Sequence, residues 1–283
     1  MSAVLASEDL WRAWSFQPLV LGAGIVAITF FLHGWLRLHR RRASLAPWTR
    51  IPLFVAGVVV TVLAIVSPID EIGESYLQSV HMLQHVLVAD LGIALTVVAV
   101  RGPLTVFLLP RDLLVPLARV RWLRRALRFL LRPGISYAAW VLVLVAWHIP
   151  RFYEGALHHA LVHDLMHLSF VVGGLLIWTQ IVDPARHHRL TLGERIGYTA
   201  LVFWTGQIMA YVILFDPTPL FSTYVGQPDR LLGLSALTDQ KLAGVVMMTE
   251  QLATVGLAFV LLLLAERRER SRVQARMAGV PAA

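Results

Sequence analysis

The chain has 283 residues, 57% hydrophobic and only 15% charged, with a mean hydropathy of +0.68. Soluble domains carry roughly 25% charged residues, so composition excludes an ordinary soluble protein and implies a polytopic, all-α membrane bundle forming one domain. The net charge of +8 is no nucleic-acid footprint, because the cations sit in short loops between apolar runs, where they encode topology. Cysteine is absent. Disulfides, thiolate metal sites and thiol redox chemistry are thereby excluded, and a metal would need histidine, carboxylate, methionine sulfur or amide oxygen.

In chain order, MSAVLASEDLWRAW lacks the basic start and apolar run of a cleavable signal, and Trp11 and Trp14 suit a membrane interface. Residues 1–17 are expected outside the cytoplasm. Apolar runs then predict spans over about Pro18–Leu38, Pro52–Val66, Ser79–Val100, Ile135–Ile149, Ala160–Val182, Ile196–Phe215 and Leu242–Ala265. Each is near the roughly 20 residues needed to cross, the second and fourth being short. Together they make a seven-helix domain over 18–265, followed by a basic cytoplasmic tail over 266–283. Between the third and fourth spans, Arg121, Arg124, Arg125, Arg128 and Arg132 share a helical face opposite Trp122, Leu123, Leu127, Phe129 and Leu130. This pattern predicts an amphipathic helix over about 112–132 lying on anionic lipid. Placing the amino terminus outside leaves only Arg12, Arg151, Arg230 and Lys241 of the 25 cations on outward segments.

That topology puts seven of the eleven histidines at the outer membrane depth. His81 and His85 open the third span as HMLQH, and His163 and His167 open the fifth as HDLMH. Each pair is spaced i, i+4 on one helical face, the spacing with which the histidines of HExxH hold a metal. The Glu of that motif is missing, so no protease base accompanies them. His148, His159, Met82, Met166, Asp239, Gln240 and Met247 are further candidate ligands, and Asp164 is placed to orient His167. Asp90 points away from His81 on a regular helix and is expected to pair with another helix. Thioether sulfur beside imidazole favours copper, with haem or zinc as alternatives.

Five motifs in order complete the pattern: HMLQH at His81–His85, RGP at Arg101–Pro103, WHIPRFYEGALHH at Trp147–His159, HDLMH leading into GGLLIW at Trp178, and DQKLAG with MM at Asp239–Gly244 and Met247–Met248. Over about residues 18–265 the chain resembles the integral-membrane CtaG family, assembly factors of caa3-type cytochrome c oxidase. The resemblance implies a seven-helix protein of the bacterial plasma membrane that matures the oxidase by delivering copper. Its partners would be oxidase subunits or a copper-carrying protein. His81, His85, His163 and His167 would be the histidines of the motif set, and Asp239 and Gln240 its last element. Two other functions fit the same residues. One is a haem protein with one histidine from each pair as axial ligands; the other is a seven-span zinc hydrolase acting on lipid. Neither Asp90 nor Asp164 lies on its helix's histidine face as a hydrolase base would, so a non-catalytic metal holder is expected.

Overall fold

A computed structural model describes residues 10, 12–228 and 231–277. Residues 1–9, Trp11, Asp229, Arg230 and residues 278–283 lie outside the described residues. Among the described residues the chain is helical, without strands. The long helices are α1 (Pro18–Arg41), α2 (Arg50–Val66) and the short connector α3 (Ile69–Ser75), then α4 (Gln78–Ala99, with a π turn at Leu87–Leu91). Next come α5 (Arg111–Arg119), α6 (Arg121–Leu130), α7 (Pro133–His148), α8 (Pro150–His158), α9 (Ala160–Val182) and α10 (Leu192–Phe215). The chain closes with α11 (Ala236–Gln251), a second π turn at Leu252–Gly256, and α12 (Leu257–Met277).

Among the described residues six stretches are long and apolar enough to cross a bilayer: α1, α2 with the turn before it (Ala43–Val66), α4, α9, α10 and the α11–α12 rod. A seventh, α7, qualifies only together with α6, from which it bends by 78°. Its 16 residues rise about 24 Å, less than the roughly 30 Å hydrocarbon core. The expected spans are therefore all present as helices, with three corrections. A capping box starts α10 at Leu192 rather than Ile196: Thr191 Oγ1 accepts from Glu194 N at 3.2 Å, and Thr191 N donates to Glu194 Oε2 at 2.8 Å. The expected single amphipathic helix is two pieces, α5 and α6, broken at Val120 with no residue of either buried. The basic tail is no separate segment through Met277, because α12 continues the last span unbroken.

Two opposite ends of the bundle are fixed by contacts. At one, Arg50 Nη1 donates to the Arg101 carbonyl at 2.5 Å and Gly102 N to the Pro184 carbonyl at 2.6 Å. At the other, Ser15 N donates to the Val66 carbonyl at 3.0 Å, and Asp239 reaches the start of α4. We refer to these as the arginine end and the histidine end.

Large apolar side chains such as Leu142, Leu161, Leu168 and Ile208 point outward, as lipid-facing positions do. Inside, α4 is the central helix, packed against α2, α9 and α11. Lipid tails are as apolar as leucine, so such packing depends on close backbone approach rather than hydrophobic expulsion. Small residues provide it. A Cβ on Gly57 would stand 2.7 Å from the Gly92 carbonyl oxygen, and one on Gly174 of α9 would overlap the Ala89 carbonyl of α4. Around these contacts lie Ile93, Val97, Ile177, Trp178, Val202 and Val255, while Phe31 stacks on Phe54 at 4.0 Å between α1 and α2.

Gly174→Ala is expected to destabilise the protein by about 1–3 kcal/mol through overpacking. Gly22→Ala, where a Cβ meets nothing within 4 Å, should be neutral or stabilising by up to ~1 kcal/mol. Thermal unfolding of both variants in the same detergent checks the contrast.

Candidate metal centre

The register fixed between α4 and α9 brings the two histidine pairs together. His81 and His85 project from α4, and His163 and His167 from α9. Their rings form a closed circuit, with centroids 4.3 Å apart for His81–His85, 5.5 Å for His81–His163, 4.3 Å for His163–His167 and 5.3 Å for His167–His85. One ligand atom from each lies within 4.8 Å of the others, and all four residues are buried.

Polar neighbours set which ring nitrogen is free. His163 Nδ1 lies 2.8 Å from Glu74 Oε1 of α3. A neutral His163 donates Nδ1–H to that carboxylate and turns its Nε2 lone pair inward, as in carboxylate–histidine–metal triads. His81 Nδ1 lies 3.0 Å from the hydroxyls of both Tyr153 and Tyr224. Tyr224 in turn donates to the Gly73 carbonyl at 2.8 Å, and the two hydroxyls are 2.9 Å apart. With Tyr153 donating to Tyr224, Nδ1–H of His81 donates to a tyrosine oxygen and Nε2 carries the lone pair.

The inward nitrogens Nε2 of His81, His163 and His167, and both nitrogens of His85, are buried without a hydrogen-bond partner. Buried polar atoms are satisfied in the great majority of cases, so five orphans in one cluster call for a ligand. Four neutral imidazoles suit a first-row transition ion in tetrahedral geometry.

The other candidates divide. His148 lines a cavity beside His85, its Nε2 orphaned and its Nδ1 2.7 Å from the Leu144 carbonyl. Met82 and Met247 line the same cavity, whereas Met166 is buried beside Ala156 and Phe170. His159 is exposed at the start of α9 and lines a different pocket. Asp164 is exposed too, and the carboxylate oriented on a histidine is that of Glu74 on His163.

Asp239 and Gln240 lie outside the group of four histidines and hold its frame. Asp239 accepts Gln78 N at 2.6 Å, Ser79 N at 3.1 Å and Ser79 Oγ at 2.5 Å, capping the amino end of α4 just before His81. Its charge meets the positive end of the α4 dipole. Gln240 accepts Leu220 N at 2.7 Å and donates to the carbonyls of Ile213 and Thr218. Residue spacing did not point to Glu74, Tyr153 or Tyr224; only the acidic run Asp70–Glu74 just before HMLQH hinted at a carboxylate.

Asp70 completes the surround. It accepts a hydrogen bond from Gln84, whose amide also donates to the Ala64 carbonyl at 3.0 Å. Burial, and then the neighbouring Glu74 charge, push its carboxyl up to about 6, against the Gln84 hydrogen bond that lowers it.

A family model described as cytochrome c oxidase caa3 assembly factor (Caa3_CtaG) matches residues 29–269. Comparisons with curated proteins and with solved structures gave no match.

Two outcomes are expected from this frame. Asp70 binds its proton more tightly folded than unfolded, so its contribution is present below about pH 4 and lost as pH rises through about 6. Asp70→Asn should remove that part of the decline, read as the difference between variant and wild-type unfolding across this window. Asp239→Asn should cost about 1 kcal/mol or more by weakening the cap on α4, measured by thermal unfolding.

Proposed function

The chain belongs to the caa3 cytochrome c oxidase assembly factor family, and from that membership we propose that it holds a copper ion between His81, His85, His163 and His167 for maturation of the oxidase's metal centres. The observation that carries this reading is the set of orphaned imidazole nitrogens converging within 4.8 Å. Copper(I) is favoured over zinc by Met82 and Met247, which line the adjoining cavity and offer soft sulfur. The absence of cysteine leaves no thiolate to compete for the ion.

A single ion accounts for the cluster better than haem, because the rings pack on one another with 4.3 Å centroid spacings, where a flat macrocycle needs a slot. A holding role accounts for it better than hydrolysis. Four histidines make a closed ligand set, whereas catalytic zinc keeps a position open for water, and the nearest carboxylate, Glu74, is engaged by His163.

The chain is read as a seven-span protein of the bacterial plasma membrane, α7 serving as the fourth span. The arginine end faces the cytoplasm and the histidine end faces outward, since short cytoplasmic loops carry the cations. The cluster would then open toward oxidase subunits or a copper-carrying protein on the outer side. The exposed arginines of α6 would rest on anionic lipid.

Purified protein is expected to carry about one copper per chain, with no Soret band and no lipid hydrolase activity. His81→Ala and His163→Ala should lose the metal, whereas His159→Ala should keep it. Glu74→Gln should weaken binding about 10–100-fold by removing the carboxylate behind His163. Full metal content in the His81 and His163 variants, together with normal oxidase assembly, would overturn the assignment.

A further inference from the structure

Two carboxyl groups sit inside the bundle where a hydrocarbon-facing protein rarely keeps them. Asp90 lies in the π turn of α4, and Glu250 lies at the end of α11, just before the second π turn. Ionisable side chains within membrane spans are costly and mark functional positions. Here both are supported by rare local geometry. A π turn closes hydrogen bonds from i to i+5 rather than i+4, which swings Asp90 back toward the face that carries His85. A regular helix would have turned it away. In consequence His85 and Asp90 line one cavity of about 80 Å³, with His148 and Glu250. That is space for ordered water, since one water needs roughly 10–15 Å³ by this kind of measure.

The two carboxyl groups share the wall of this one small cavity. Two carboxyls facing one small cavity without a cation hold a proton between them, because two ionised groups there repel. Trp178 of α9 donates its indole N–H to Asp90 Oδ1 at 2.5 Å, and the Thr254 hydroxyl of the second π turn donates to the Glu250 backbone carbonyl at 3.1 Å. The Oε1 atom of Glu250 is sealed from the surface without a partner. Across the cavity stand His85 and His148, and no lysine or arginine lines it. The pair therefore has an indole donor and imidazoles around it but no fixed cation to hold two negative charges.

We propose that Asp90 and Glu250 share one proton inside the membrane and release it when a cation enters the histidine cluster, making metal uptake proton-coupled. The inference rests on the reading above that the four imidazoles bind a metal. Four neutral imidazoles gain a full positive charge when they bind copper(I), and an uncompensated charge within the bundle is costly. Loss of the shared proton takes the pair, one cavity away, from one negative charge to two, and the added charge balances that of the ion. Copper(I) enters, one proton leaves through the cavity, and neither the net charge nor any oxidation state changes. The carboxylates act through space and are not ligands of the ion.

The test uses the full chain in detergent, with copper(I) added anaerobically in weak buffer. Infrared spectra read the protonated-carboxyl C=O band, a pH dye reads proton release, and elemental analysis reads bound copper separately. Wild type should show the band without metal, lose it on copper binding, and release about one proton per ion. Asp90→Asn and Glu250→Gln should each lack the band and release no such proton while the folded protein still takes up copper. Glu269→Gln, on the exposed end of α12, should behave as wild type. A band absent from wild type, or surviving both substitutions, overturns the shared proton. A band that persists with copper bound, or equal proton release from the variants, overturns the coupling. If wild-type protein takes up no copper, the metal reading fails and the coupling with it, whereas the band still decides whether the pair holds a proton.

Discussion

The backbone contact between α9 and α4 at Gly174 and the Ala89 carbonyl sets the register on which the rest of the bundle depends. In a bilayer, helices gain little by hiding apolar side chains from equally apolar lipid, so their relative position is decided where backbones come closest. With Gly174 against Ala89, the HDLMH segment of α9 comes level with the HMLQH segment of α4. A helix offset by one turn, about 5.4 Å, would carry His163 past His81 and scatter the four rings. A second close approach, Gly57 against the Gly92 carbonyl, holds α4 from the side of α2. Two glycine contacts thus position one helix that carries both His81 and Asp90.

Around that register, polar groups are satisfied from the rim inward. Asp239 caps α4, Glu74 holds His163, Tyr153 and Tyr224 hold His81, and Gln84 ties α4 to Asp70 and the end of α2. Further along, Gln207 of α10 donates to Gln251 Oε1 at 3.1 Å. Each of these side chains has a partner, with Gln84 Oε1 alone left over, and five of the buried unpartnered atoms gather in the imidazoles at the centre. The outer partners fix the orientations of the His81 and His163 rings.

The π turns extend this logic deeper into the membrane. Each inserts an extra residue into an otherwise regular helix, at the level where Asp90 and Glu250 approach. In the second of them the Thr254 hydroxyl donates to the Glu250 backbone carbonyl at 3.1 Å, satisfying an acceptor within the turn. The histidine cluster and the carboxyl pair are consequently two polar stations on one side of α4, separated by a cavity and otherwise surrounded by apolar packing.

Much of this was legible from residues alone. Apolar runs of near-membrane length located each long helix, because a bilayer demands internally bonded segments of fixed length. Arginine placement separated the two ends, and i, i+4 spacing singled out both histidine pairs. The T-L-G-E signature of the capping box at Thr191 was also readable, although the apolar run began later and masked it. What spacing along one helix could not decide was which residues from other helices meet it. Asp239 and Gln240 lay at the right depth to be ligands, yet their side chains cap and brace, a distinction set by which way α11 faces. Glu74 and Tyr224 reach the histidines from connecting segments distant in the chain, and only closure of the bundle brings them there. Asp90 was expected to turn from the histidine face because the helix was taken as regular. Sequence thus determined the span lengths, the polarity of the ends and the imidazole pairs, which depend on local chemistry. Tertiary structure alone decided the partner of each ring and the position of Asp90, which depend on helix register and on a π turn that no periodicity announced.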